Sequence, residues 1–175
     1  VICLTITSLI PENPPLIISG SFDNTIGIWN PDNSNLLKRL YGHTSYVNCL
    51  STLMLGKQKV LASGSSDNTI KLWDLSSLLI IKTLNLGYLN HSIFCLAILP
   101  IKSQDLIVSG TFDKLIRVWN PKNGYLVKIM PGHTDSIRCL ITFTINERIF
   151  LVSGSYDRKI IIWNPYKGQI LWSLV

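Results

Sequence analysis

A repeat constrains this chain more than any other feature. The segments SGSFDNTIGIWN from Ser19, SGSSDNTIKLWD from Ser63, SGTFDKLIRVWN from Ser109 and SGSYDRKIIIWN from Ser153 share Ser, Gly, Asp and Trp at fixed offsets. Their tryptophans, Trp29, Trp73, Trp119 and Trp163, stand 44, 46 and 44 residues apart. A period of this length means that successive units share one architecture and that each covers its apolar surface with its neighbours. Cys3, Cys49, Cys95 and Cys139 keep the same phase, each before a Leu and two residues after a Val or Ile. Equivalent positions of successive units stand too far apart for the Cα separation of about 4.4 to 6.8 Å that a disulfide needs. The four are therefore expected to be buried, reduced thiols, which points to an intracellular, reducing compartment, cytoplasmic or nuclear.

Inside each unit, short runs of Val, Ile and Leu alternate with Gly, Pro, Asn and Asp turns, and no helical periodicity persists. In the second unit the runs predict strands a to d over Tyr46 to Leu53, Val60 to Ser63, Thr69 to Trp73 and Leu79 to Leu84. Turns join a to b at Pro11 to Pro15, Gly56 to Lys59, Pro100 to Asp105 and Ile145 to Glu147. Asn30, Asp74, Asn120 and Asn164 start the c-to-d turns. A four-stranded antiparallel sheet that is apolar on both faces must stack on others, and radial stacking of such units is the β-propeller arrangement.

These residues resemble the WD-repeat β-propeller family, over the whole chain. Gly42-His43 and Gly132-His133 supply the family's opening dipeptide, and each His lies 30 residues before its Trp. Trp73-Asp74 is the literal closing pair, replaced by Trp-Asn elsewhere. Tyr88-Leu89 stands where the third unit should have Gly-His, with His91 two positions on, and the first unit has no opening dipeptide. The expected fold is all-β, four blades over residues 1–41, 42–87, 88–131 and 132–175, which resembles part of a larger ring. The chain begins Val1-Ile2-Cys3, reads as cut from a longer protein and shows no signal peptide.

Ser, His and Asp in one unit also invite a hydrolase reading. The resemblance instead implies a structural network: His43, Ser63, Asp67 and Trp73 in one blade, His133, Ser153, Asp157 and Trp163 in another. The remaining blades keep Ser109, Asp113 and Trp119, and Ser19, Asp23 and Trp29. A constellation that recurs in every unit suits a frame better than an active site, and the Gly-x-Ser-x-Gly nucleophile elbow is absent. No cofactor is implied, and neither a phosphate loop nor zinc-ligand spacing is present.

Specificity then belongs to exposed positions that differ between units. Phe22, Ser66, Phe112 and Tyr156 precede the turn Asp. Asn48, Phe94 and Arg138 lie on strand a before the Cys, as does Ile2, and Tyr46, Ser92 and Ser136 enter that strand. The b-to-c turns and d-to-a connections should share one end of the ring, where, by resemblance, propellers hold peptide partners. Aromatics beside an Arg have the composition of a protein-binding hot spot; packing over the turn backbones is the alternative.

Charge and hydropathy set the remaining limits. The net charge is +6, hydrophobic residues make up 47% and charged residues 15%, with mean hydropathy +0.31; typical soluble proteins carry about 25% charged residues. The apolar run Ile93 to Leu99 ends at Pro100, far short of the roughly 18 residues of a spanning helix, so no membrane is implied. Lys38, Lys82 and Lys128 share one position on strand d, where Lys guards a sheet edge. Lys57, Lys59, Lys102 and Lys122 mix with Glu12, Asp32, Asp105 and Glu147 at the far end, which disfavours a continuous nucleic-acid track. Asn90-His91-Ser92 matches a glycosylation sequon, at odds with a reducing compartment. The expected partners are other proteins or peptide segments, and further blades or a second copy covering the end faces. The expected function is a non-enzymatic protein-interaction scaffold, of adaptor or substrate-receptor type. A nucleic-acid-associated propeller subunit is the alternative.

Overall fold

A computed structural model describes residues 1–7, 15–87, 91–101 and 104–175. Outside the described residues lie residues 11–14 of the first a-to-b turn with Glu12, the pair Tyr88-Leu89, Asn90 of the sequon, and Lys102.

Sixteen strands form four antiparallel sheets, each ordered as in the sequence. The first holds β1 (Cys3–Thr7), β2 (Leu16–Gly20), β3 (Ile26–Trp29) and β4 (Leu36–Leu40), and the second β5 (Val47–Leu55), β6 (Gln58–Ser65), β7 (Thr69–Asp74) and β8 (Ile80–Asn85). The third holds β9 (Ile93–Ile101), β10 (Gln104–Thr111), β11 (Ile116–Trp119) and β12 (Leu126–Met130). The fourth holds β13 (Ile137–Ile145), β14 (Arg148–Ser155), β15 (Ile160–Asn164) and β16 (Gln169–Leu174). Against the expectation for the second repeat, β5 and β8 begin one residue later, while β6 gains two residues at each end and β5 and β7 end two and one residues later, because ladder pairing continues into the turns. The first strands, β1, β5, β9 and β13, pack on one another in succession and line the inside of an arc that does not close into a ring.

Three apolar layers hold the sheets face to face. Ile18, Ile26 and Ile28 pack on Val47, Leu61 and Trp73; Cys49, Val60 and Leu72 on Ile93, Ile107 and Trp119; Cys95, Val108 and Val118 on Ile137, Leu151 and Trp163. The glycine after each repeat serine marks how closely sheets approach. A Cβ on Gly64 would come within 2.6 Å of both Cys49 Sγ and Ile93 Cγ2, and one on Gly110 would meet Cys95 Sγ and Ile137 Cγ2 equally closely. On Gly154 it would meet only Cys139 Cβ, at 3.7 Å, since among the described residues no sheet packs on that side of the fourth.

That open face corrects the expectation for the thiols. Cys49 and Cys95 are buried, and burial pushes Cys95 up to about 12, but Cys139 is exposed and Cys3 only half-buried. The first strand of the next sheet packs against the cysteines of the second and third blades, and among the described residues none packs against Cys139. Apolar side chains also remain uncovered on the same face, with Ile141 57% and Trp172 56% exposed. Trp172 occupies the strand-d position that is Lys in the other three blades.

Two of those three lysines do more than guard an edge. Lys82 Nζ donates to the Lys122 carbonyl at 2.7 Å and Lys128 Nζ to the Tyr166 carbonyl at 2.5 Å, each reaching the c-to-d turn of the following blade. The c-to-d turns close on the side-chain oxygen that starts them: Asn30, Asp74, Asn120 and Asn164 each accept the backbone N–H two residues on.

Candidate functional site

At one end of the arc the b-to-c turn of each blade meets the loop leading into its first strand. The Ser66, Phe112 and Tyr156 amides donate to the Tyr46, Ser92 and Ser136 carbonyls. Beneath these contacts sits the network. In the second blade Trp73 Nε1 donates to Ser63 Oγ at 2.8 Å, Ser63 Oγ lies 2.7 Å from His43 Nε2, and His43 Nδ1 lies 2.7 Å from Asp67 Oδ2. The fourth blade repeats it through Trp163, Ser153, His133 and Asp157, at 2.8, 2.7 and 2.8 Å. With the imidazole neutral and its proton on Nδ1, every group is satisfied: Trp donates to Ser, Ser to His, and His to Asp.

Desolvation pushes the Asp67 carboxyl up, but hydrogen bonds from His43, Thr69 and the Thr44 amide outweigh it and hold the group well below the usual carboxylate range. Asp157 balances desolvation against the Thr134 amide, His133 and the Lys159 amide, and settles at about 2. Both carboxylates are ionised at neutral pH. The spacing resembles that of a Ser-His-Asp triad. However, Ser63 and Ser153 are completely buried, and each hydroxyl oxygen is already occupied by an indole N–H. Neither serine can reach a substrate.

The first and third blades complete the network differently. Trp29 and Trp119 still donate to Ser19 and Ser109, at 2.8 and 2.9 Å. Asp113, however, is held by Arg117, a buried residue of β11 whose two terminal nitrogens reach its two oxygens at 2.9 and 2.5 Å. Thr111 hydrogen-bonds the same carboxylate and accepts from Arg117. His91 Nδ1 approaches Asp113 to 3.2 Å without hydrogen-bond alignment. In the first blade Arg39 crosses from β4 to Asp23 at 2.8 Å. It lies opposite Gly27, where a Cβ would come within 2.7 Å of the Trp29 indole nitrogen. Sequence reading missed both arginines because they come from different strands. The available signal was that the repeats lacking Gly-His are the ones with an Arg on strand c or d.

The variable positions divide into two groups. Asn48, Phe94 and Arg138 are each the extra residue of a β-bulge, where the first strand slips register against the second. Bulges re-aim such residues out of the ladder. Asn48 Nδ2 donates to Ser66 Oγ and to the Ile93 carbonyl, both at 2.8 Å, and so ties the second blade to the third. Ser136 is buried, donating its hydroxyl to the Phe112 carbonyl at 3.2 Å, and Ser92 is half-buried below Phe112. Ser136 is therefore turned inward, beneath Phe112. Exposed at the surface are Phe22 and Tyr156, both 62%, Phe112 at 56%, and Tyr46. Phe22 meets Tyr46 edge-on at 4.8 Å, across the first blade junction. Arg138 stacks between Phe94, 4.0 Å from its guanidinium carbon, and Tyr156 at 4.9 Å. Among the described residues, no three His, Cys, Asp or Glu side chains converge as metal ligands.

Stacked four-stranded sheets with a buried Trp-Ser-His-Asp frame define the class as a β-propeller built of repeated blades. The sequence model of the WD domain, G-beta repeat family matches residues 2–30, 34–74, 81–120 and 124–164. The chain belongs to the WD-repeat family. Each full match begins near the outer strand of one blade and ends at the third strand of the next, so the sequence repeat staples neighbouring sheets together. A search of curated proteins found no match. WD repeats are generally protein-interaction scaffolds.

Proposed function

We propose that the chain is a non-enzymatic scaffold of the adaptor or substrate-receptor type, which holds peptide segments of other proteins against the end of the arc formed by the b-to-c turns. One observation carries this reading. Five side chains, Phe22, Tyr46, Phe112, Arg138 and Tyr156, are exposed at that end, above a frame whose Trp-Ser-His-Asp groups in the second and fourth blades are bonded to one another. Large rings left open on a rigid base have the composition of a binding hot spot and lose little conformational entropy on binding. The unpaired, buried thiols of Cys49 and Cys95 fit an intracellular setting.

Peptides selected against the chain from a random display library provide the test. The double variant Phe112→Ala/Tyr156→Ala should weaken their binding at least tenfold and leave the unfolding free energy within about 0.5 kcal/mol of wild type, as expected of a surface substitution. Unchanged binding, or a large loss of stability, would make these rings packing residues.

A further inference from the structure

We propose that Arg138 anchors an acidic-peptide site: its guanidinium, clamped between Phe94 and Tyr156, receives the carboxylate of a Glu or Asp side chain on a partner segment. This rests on the interaction reading above and names the chemistry of the partner.

The three bulge positions show what is unusual about Arg138. Asn48 spends its amide on Ser66 and on the Ile93 carbonyl. Phe94 turns its ring onto Arg138 and meets Phe112 at 6.3 Å. Arg138 has five N–H donors, yet among the described residues it makes only its two ring contacts, with no hydrogen bond or ion pair. The two ring contacts restrain the guanidinium of this exposed side chain while its N–H groups stay uncommitted. A planar, pre-oriented fork fits a carboxylate bidentately, and less ordering is required when the ligand arrives.

Local electrostatics favour the same ligand. Neither neighbouring turn carboxylate forms an ion pair with Arg138: Asp113 is paired with Arg117, and Asp157 is hydrogen-bonded by His133. Lys114 and Arg158 add exposed positive charge on the turns of the third and fourth blades, where the first two blades carry Asn24 and Asn68. Asp135 is the opposing charge on this loop, and its Oδ1 is taken up by the Ser136 amide at 2.6 Å. Phe112, open beside Phe94, offers an apolar seat for the residue next to the acid.

The experiment uses four acetylated, amidated peptides Gly-Leu-X-Leu-Gly with X as Glu, Gln, Lys or phosphoserine, titrated into the isotope-labelled chain by NMR. The Glu peptide should shift the Arg138 Nε–H and the Phe94 and Tyr156 ring signals, and bind at least tenfold tighter than the Gln or Lys peptide. Arg138→Lys keeps the charge and loses the fork; it should weaken the Glu peptide about tenfold without moving the unfolding midpoint. Equal binding of Glu and Gln peptides at the same ring signals would overturn the acidic-site proposal and leave the interaction reading standing. Phosphoserine binding more than tenfold tighter than Glu would overturn the carboxylate assignment in favour of phosphate. Shifts from none of the four at these rings would count against both.

Discussion

The second and fourth blades differ from the first and third in how they meet one shared requirement. Every b-to-c turn carries an Asp that must stay ionised beside a frame whose Trp donates to Ser. Two blades supply a His from the preceding loop, completely buried and able to serve as a neutral donor. The third supplies Arg117 from its own third strand, a fixed charge that is nearly as buried. The first supplies Arg39 from the outer strand, in a pair that solvent reaches freely. What the repeat preserves is thus an ionised turn with a donor against it, and the identity of the donor is free to drift.

The largest expected effect falls on what the blades share. Trp73→Ala and Trp119→Ala should each cost about 3 to 5 kcal/mol in urea unfolding, since both leave a cavity between sheets. A clear inequality between them would break the idea of a common frame. Next come the turn carboxylates. Asp113→Ala strands a buried guanidinium and should cost about 3 kcal/mol or more. Asp67→Ala removes the acceptor of the His43 ring but strands no guanidinium, so its cost should be smaller, on the order of 1 to 3 kcal/mol. The reverse order would show that the arginine is solvated in solution.

Acid sharpens the comparison from the other side. The Asp157 carboxyl is depressed to about 2, so its contribution is complete above the ordinary carboxylate value near 4 and is lost as pH falls through about 2. Asp157→Asn should therefore lower stability at pH 7 and flatten its decline between about pH 4 and pH 2. A decline as steep as in wild type would place the sensitive group elsewhere. The smallest effect concerns Lys114, which holds φ 72° at the turn position that is Asn in the first two blades. Lys114→Asn should stabilise the chain by about 0.5 kcal/mol, because Asn tolerates the left-handed region better; circular-dichroism melting would read the gain.

The frame could be read from the sequence because the repeat supplies its own comparison: Ser19, Ser63, Ser109 and Ser153, with their Trp and Asp partners, recur in phase, and phase survives folding. Arg39 and Arg117 escaped because each solves its problem once, from a strand that phase does not mark. The bulges at Asn48, Phe94 and Arg138 were also invisible, since an extra residue in one strand leaves no local signature without knowing its partner strand. Exposure of Cys139 depended on a neighbouring sheet, a tertiary fact that no pattern within the repeat encodes. Ser136 looked like Tyr46 in register, yet a small hydroxyl there turns inward to the Phe112 carbonyl.

A double-mutant cycle on Asp113 and Arg117, with Asp113→Asn and Arg117→Met alone and combined, tests most directly whether the arginine takes over the histidine's role. Measured by urea unfolding at pH 7, the pair should show a coupling energy of about 1 to 3 kcal/mol, at least as large as that of the equivalent cycle on Asp67 and His43. A coupling near zero at Asp113 and Arg117, with a sizeable one at Asp67 and His43, would contradict the equivalence of the two kinds of blade.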